Sequence, residues 1–270
     1  TNIVMSILLG LWLGWGISGV TWGTVIGETV AAIAGFTYIF LRYGRAASPR
    51  LSMLTDGAKL KQLFHLNRDI LIRTFALICA FTVMTRVGAS FGPVTLAANA
   101  VLTNFFMISS FYLDGIATAA EQIAGETVGA RYRPGFERAL KLTGLWSLGL
   151  ALASLAFFLA FGPAIIDFIT TAPEVRITAE LYLPYAAFTA LTGALAFQMD
   201  GVFIGATWSR DMRNMMILSL AGYLATLAAL VPFLGNHGLW IALNVFLALR
   251  GLLLLSRLKP KLDQTFAASQ

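Results

Sequence analysis

Charged residues and cysteine are both scarce in this chain. Asp, Glu, Lys and Arg make up 12% of its 270 residues, roughly half the share of a typical soluble protein, whereas hydrophobic residues make up 58%. Cys79 is the single cysteine, so the sequence excludes an intrachain disulfide and gives no support to a thiolate metal site. The two histidines, His65 and His237, lie outside the cores of the apolar runs. We therefore predict a protein of the lipid bilayer, with no metal and no cofactor.

Long apolar runs indicate the fold class. Eight of them follow one another, at residues 3–13, 20–41, 70–87, 94–120, 142–166, 181–206, 215–234 and 239–255. Most approach the ~20 residues that a helix needs to cross ~30 Å of hydrocarbon. The alternating, turn-rich pattern of a membrane β-barrel is missing. The sequence thus predicts an all-α, polytopic membrane helix bundle.

The first run is too short to span a bilayer. It has 11 residues, so at ~1.5 Å per residue it reaches about half way across. The chain begins at Thr1, and no charged segment precedes the apolar stretch as it would in a signal peptide. We expect a fragment of a longer protein, with the N-terminal lobe of the same chain missing from this sequence.

Basic residues predict the orientation in the membrane. They crowd after the second, fourth, sixth and last runs: Arg42, Arg45, Arg50, Lys59, Lys61, Arg68; Arg131, Arg133, Arg138, Lys141; Arg210, Arg213; Arg250, Arg257, Lys259, Lys261. The opposite connections contain only Arg86 and Arg176. By the positive-inside rule, the basic side and the C-terminus are cytoplasmic. Since no basic face with aromatic platforms is present, we expect no nucleic-acid partner.

The stretch 42–68 is the long connection and the best internal boundary. It contains the turn-forming pairs Ser48-Pro49 and Asp56-Gly57. We predict that residues 1–41 hold the last one and a half helices of an N-terminal lobe and 42–68 a cytoplasmic inter-lobe loop. Residues 69–258 would then form a complete six-helix lobe, followed by a cytoplasmic tail at 259–270.

Small residues recur every four positions in the second run. Gly19, Gly23 and Gly27 begin the series, and Ala31 and Gly35 continue it. In lipid, apolar burial does not drive helices together, so small residues that permit close backbone approach mark a helix-packing face.

Asp114 is the most informative residue. It lies well inside an apolar run, where a carboxylate costs at least ~2.5 kcal/mol. Thr103, Ser110, Thr118 and Glu121 share its helical face. This polar stripe predicts a transport pathway with Asp114 as an ion-coupling acid. The alternative is a polar seam that only holds helices together.

Asp200 is the second acid inside a run. Its depth matches that of Asp114, and Tyr185 and Thr189 lie on its approximate face as further pathway candidates. Two such acids in one bundle suit a proton or cation relay, although a hydrogen bond between helices would serve Asp200 equally well. Near the basic end, Arg73 is expected to pair with Asp69 at i,i+4 as an anchor.

Several motifs together resemble the multidrug and toxic compound extrusion (MATE) family, specifically its DinF-like branch. They are Leu66-Asn67-Arg68-Asp69-Ile70, Ala97-Ala98-Asn99-Ala100-Val101-Leu102, Leu113-Asp114-Gly115, Val128-Gly129-Ala130-Arg131, Met199-Asp200-Gly201-Val202-Phe203-Ile204-Gly205-Ala206-Thr207, Leu234-Gly235-Asn236-His237 and Phe246-Leu247-Ala248-Leu249-Arg250-Gly251. The resemblance covers essentially the whole chain. It implies twelve helices in two pseudo-symmetric lobes, of which this chain would hold part of the fifth and all of the sixth to twelfth.

The resemblance also implies a function. It implies a transporter of the bacterial inner membrane that exports small amphipathic, often cationic compounds, driven by inward flow of protons or sodium. One position departs from the family pattern, because Ser6 stands where many members have an acid in the fifth helix. This departure favours Asp114 and Asp200 as the coupling acids.

Three other functions account less well for the sequence. A lipid-linked saccharide flippase would share the two-lobe plan, but only Arg73 and Arg86 are counted as basic residues inside the last six runs. An intramembrane enzyme would need a Ser/His or metal constellation that the sequence lacks, so we expect no enzyme. A purely structural membrane protein would have no need of buried acids.

Overall fold

The computed structural model describes residues 1–43 and 57–267, which are almost entirely helical. The helices are α1 (Asn2–Ile7), continued by a π-helical turn at Leu8–Trp12, then α2 (Gly16–Tyr43), α3 (Gly57–Ala89), α4 (Pro93–Gly129), α5 (Arg133–Ile169), α6 (Pro173–Gly205), α7 (Ser209–Leu234) and α8 (Asn236–Ala267). Seven of them, α2 to α8, contain segments long and apolar enough to cross a membrane, whereas Asn2–Trp12 is shorter. The predicted all-α membrane bundle is confirmed.

Two of the predicted boundaries differ from the helices. Because α3 begins at Gly57, residues 57–68 are helical and not part of a loop. The pair Ser48-Pro49, Arg45 and Arg50 lie outside the described residues. At the other end, α8 continues through Pro260 to Ala267, so most of the predicted tail is helix. Beyond Pro260, the apolar side chains of Leu262 and Phe266 are buried against the bundle.

The chain divides into two compact units, Thr1–Lys61 and Gln62–Gln270. In the first unit, α1 packs on α2. A Cβ atom on Gly19, Gly23 or Gly27 would press against Leu9, Ser6 and Asn2 respectively, so these glycines permit the close approach. No heavy atom of the described residues lies within 4 Å of a Cβ built on Gly35, so its place on this face stays a prediction.

In the second unit, α6 is the central helix. It packs against α4, α5 and α8, and α7 packs on α8. In its most apolar segment, 72% of the residues are buried, a larger share than in any other candidate span. Aromatic contacts extend the core outward, with Phe105 against Phe158 at 5.1 Å and Phe81 of α3 against Phe106 of α4 at 5.2 Å. The polar residues of α6 are therefore enclosed by protein.

The same turn connects α4 to α5 and α6 to α7. Gly129-Ala130-Arg131-Tyr132 and Gly205-Ala206-Thr207-Trp208 both place their third residue at positive φ, 52° for Arg131 and 59° for Thr207. The fourth residue then donates from its backbone N–H to a carbonyl five positions earlier, at 2.9 Å in both turns. The two helical hairpins thus reverse the chain direction with the same turn conformation, at the same end of the bundle.

Glycines also set the approach of α4 and α6. A Cβ on Gly201 would overlap the carbonyl oxygen of Ala117, and one on Gly205 would overlap that of Glu121. Residue numbers rise together along this contact, so the two helices run in the same direction. In a lipid environment, such contact between backbones is a principal source of helix association.

We expect Gly205→Ala to destabilise the bundle. The added methyl group meets backbone, which cannot rotate away, so overpacking should cost about 1–3 kcal/mol. Thermal unfolding of the protein in detergent measures the change. Gly149→Ala on α5 is the matched control, because its Cβ would have no neighbour within 4 Å. Equal stability of the two variants would contradict the close-packing account.

Candidate functional site: an intramembrane charge centre

The α4–α6 contact places Asp114 and Asp200 at similar levels of the bundle. Gly201 lies on Ala117, so Asp200 precedes that contact by one residue and Asp114 by three on the parallel helix. At ~1.5 Å rise per residue this offset is only a few ångströms along the bundle. The similar depth predicted from sequence therefore follows from the glycine contact.

Asp200 is a buried carboxylate held by two arginines. Its Oδ2 atom accepts hydrogen bonds from Nη2 of Arg73 on α3 and from Nη2 of Arg250 on α8. Asp200 is 4% exposed and Arg250 is 3% exposed, so this pair lies out of reach of solvent. The guanidinium carbon of Arg250 also lies 5.4 Å from the ring centroid of Phe197, within cation–π range. We call Arg73, Asp114, Asp200 and Arg250 the charge centre.

Asp114 is the exposed acid of this centre. Its side chain lies on the open face of α4, while Leu113 beside it is buried. Its carboxylate interacts electrostatically with Arg250, Asp200 and Arg73. The charge centre thus joins a buried ion pair to a carboxylate that water or a ligand can reach.

The remaining pathway candidates are spread along the bundle. On α4, Thr118, Ser110 and Thr103 donate to the carbonyls of Asp114, Phe106 and Asn99, at 2.8, 2.9 and 2.7 Å. Such bonds satisfy the hydroxyls within their own helix. Ser110 and Thr118 each lie about one turn from Asp114, Thr103 lies about three turns away, and Glu121 marks the contact with Gly205. These residues are spread along α4 and do not converge on one point, so their role in a transport pathway stays a prediction.

Tyr185 and Thr189 lie away from the charge centre. They precede Asp200 on α6 by 15 and 11 residues, about 16–22 Å along the helix axis. Thr189 is buried and donates to the carbonyl of Ala186 at 2.6 Å. Tyr185 instead lines an open cavity of about 500 Å³ between α6 and α8, together with Pro184, Phe188, Thr192, Ile241, Asn244, Val245 and Ala248.

The predicted Asp69–Arg73 pair is wrong. Asp69 is 1% exposed and is bound instead by Arg213 of α7 at 2.6 Å and by Arg68 at 3.2 Å. Arg73 is directed to Asp200. Because Asp69 is enclosed against α7, a cation arriving from that helix outcompetes a neighbour one turn along α3.

Arg250 was also misplaced by the sequence reasoning. It was counted with the basic residues at the cytoplasmic end, yet it is buried in the middle of α8. The signal was present in the sequence, because apolar residues flank it on both sides within the run 239–255. Arg250 therefore adds one basic residue to the interior of this unit, besides Arg73 and Arg86.

A second polar network holds the opposite end of the bundle. Asn99 and Asn236 exchange amide hydrogen bonds at 2.7 and 3.0 Å, and the indole N–H of Trp240 donates to Asn99 Oδ1 at 2.9 Å. All three side chains are buried. This network ties the start of α4 to the start of α8, and its satisfied geometry indicates a structural role.

Asp200→Asn should destabilise the protein strongly. The buried guanidinium of Arg250 and the partly buried one of Arg73 would lose their carboxylate, a loss of about 3–5 kcal/mol for broken buried pairs. Thermal unfolding in detergent tests this expectation. Asp167→Asn is the control, because its pair with Arg176 at 3.0 Å is largely exposed and should contribute less than about 1 kcal/mol. Comparable losses in both variants would show that burial of the pair does not matter.

Comparison with known proteins identifies the family. The MatE family profile matches residues 70–230. DNA damage-inducible protein F of Escherichia coli is 35% identical over 93% of this chain and 55% of its own length. The probable multidrug resistance protein NorM of Deinococcus radiodurans is 32% identical over 74% of this chain and 46% of its own length. The chain belongs to the MatE family of transporters.

Solved structures show the same fold. The MATE transporter VcmN of Vibrio cholerae, in its bent form, superposes with a TM-score of 0.84 at 19% identity, over 98% of this chain and 60% of that one. A MOP superfamily transporter from Pyrococcus furiosus gives a TM-score of 0.85 at 16% identity, with the same coverage. The chain therefore spans about half to three fifths of the length of these relatives. None of these matches supports the flippase alternative.

Proposed function

We propose that the protein containing this chain is an antiporter that exports amphipathic, cationic compounds in exchange for protons. Family membership supports small-molecule transport with ion coupling. The observation that carries proton coupling is Asp114, an exposed carboxylate at membrane depth beside a buried ion pair. An acid in this position has access to protons and to a cationic ligand, and it cannot hold both at once.

The two acids have different parts in this proposal. Asp200 is bound by both Arg73 and Arg250, so its carboxylate is occupied by partners within the protein and acts on Asp114 from a fixed position. Asp114 has no guanidinium bound directly to it among the described residues, so its charge is free to change. Proton uptake at Asp114 removes the negative charge that attracts a cationic substrate, which couples the two flows.

Asp114→Asn should abolish coupling while leaving the fold intact. The amide keeps the shape and the hydrogen-bonding capacity of the side chain but cannot titrate at physiological pH. In proteoliposomes of the full-length transporter, we expect substrate-induced proton flux to fall to background. Thermal stability should change by less than about 1 kcal/mol, because the side chain is exposed.

Asp263→Asn is the matched control for this experiment. Asp263 is an exposed acid on α8 whose ion pair with Arg133, at 3.1 Å, lies at the far end of the bundle. Its loss should leave proton flux unchanged. If Asp114→Asn retained wild-type coupling, a purely structural role for the polar face of α4 would be the better account.

We also propose that the C-terminal helix ends in the cytoplasm of a bacterial cell, at its inner membrane. The end of the bundle that carries Arg131, Arg210 and Lys259 is the basic one, as cytoplasmic ends are. The exchange Gln264→Cys in a Cys79→Ser background gives a single exposed thiol there. An impermeant maleimide should label it only after the membrane is opened.

The opposite connection supplies the control for topology. Thr171→Cys in the same background lies in the exposed turn between α5 and α6 and should react in intact cells. Labelling of position 264 from outside, with protection of position 171, would reverse the proposed orientation.

A further inference from the structure

The charge centre is unbalanced without Asp114. Two guanidiniums bind the single carboxylate of Asp200, and both donate to the same oxygen. One positive charge is therefore left in excess within a membrane-embedded bundle, where an uncompensated charge is costly. Asp114 is the next carboxylate that interacts with both arginines. When Asp114 binds a cationic group or a proton instead, the excess positive charge needs another anion.

The two arginines are not equally placed to meet that anion. The side chain of Arg250 is 4% exposed and lies over the ring of Phe197, whereas that of Arg73 is 15% exposed. A guanidinium has five N–H donors, and Arg73 spends one of its Nη2 donors on Asp200. The Nε atoms of both arginines are buried and have no hydrogen-bond partner among the described residues, so the greater exposure of the Arg73 side chain is what distinguishes it. Arg73 thus has spare donors of the kind that bind carboxylates in pairs.

We propose that Arg73 determines substrate specificity by binding the carboxylate of a zwitterionic amphiphile, whose cationic group lies against Asp114. The proposal rests on the export function proposed above. Arg73 on α3 and Asp114 on α4 present opposite charges from adjacent helices, so a zwitterion leaves the occupied site with no added net charge. Arg250 keeps Asp200 paired while Arg73 engages the ligand. A pure cation would satisfy Asp114 but would leave the excess charge of the arginine pair unopposed.

Two dyes that differ by one methyl group test the proposal. Rhodamine 110 carries a free carboxylate beside its delocalised cation, and rhodamine 123 is its methyl ester. In proteoliposomes of the full-length transporter with an imposed proton gradient, we expect wild-type protein to export rhodamine 110. Arg73→Gln should lower export of rhodamine 110 by about tenfold or more, the loss typical of a charge-assisted hydrogen bond. Export of rhodamine 123 should change much less.

Arg86→Gln is the control, because Arg86 is an exposed arginine on the same helix, more than three turns from Arg73. It should affect neither dye selectively. Should the glutamine variant fail to fold, Arg73→Lys decides, since an ammonium keeps the charge opposite Asp200 but lacks the paired donors. That variant must also lose rhodamine 110 export more than rhodamine 123 export.

The outcomes separate this inference from the proposed function. Export of rhodamine 123 but not of rhodamine 110 by wild-type protein, or equal loss of both dyes in the Arg73 variants, would overturn the carboxylate role and leave cation export standing. Failure of the wild-type protein to export either dye against a proton gradient would contradict the proposed function and the inference together.

Discussion

The contact between the backbones of α4 and α6 is the constraint from which the site follows. In lipid, side-chain burial gives little drive for association, so helices associate where their backbones can approach. Gly201 and Gly205 allow that approach to Ala117 and Glu121. This contact fixes the register of two parallel helices and so brings one acid of each to the same level. A larger side chain at either glycine would separate the acids as well as the helices.

Charge balance is the second organising principle of this bundle. Buried carboxylates are each matched by cations from other helices: Asp200 by Arg73 and Arg250, and Asp69 by Arg213. These pairs link α3 to α6 and α7, and α8 to α6, across long stretches of sequence. Since pairing in this medium is costly to break, the pairs define which helices stay together. Asp114 stands apart because its carboxylate lies on the open face.

Much of the fold could be predicted from the sequence, because each membrane span is marked by its own run of apolar residues. Run lengths alone predicted the membrane helices, and glycine spacing predicted a packing face on α2. Asp114 and Asp200 were predicted as ion-coupling acids because each lies deep in an apolar run. Sequence reasoning did not identify which charged residues pair with one another across helices. Whether Arg73 meets Asp69 one turn away or Asp200 on another helix depends on packing, which no local pattern encodes. Arg250 was overlooked because a basic residue near a basic tail is ordinarily taken as part of it.

The uneven tightness of the packing has a mechanical consequence. Where α4 and α6 meet through glycines, their backbones interlock, while the backbone of α3 stays further from its neighbours and contacts them through side chains such as Phe81. Side chains slide past one another more readily than interlocked backbones do. The separation of the two acids is therefore fixed by contact between backbones, whereas the position of α3 depends on side-chain contacts and ion pairs. A substitution that enlarges one of those side chains would shift α3, and Arg73 with it, while the two acids keep their separation.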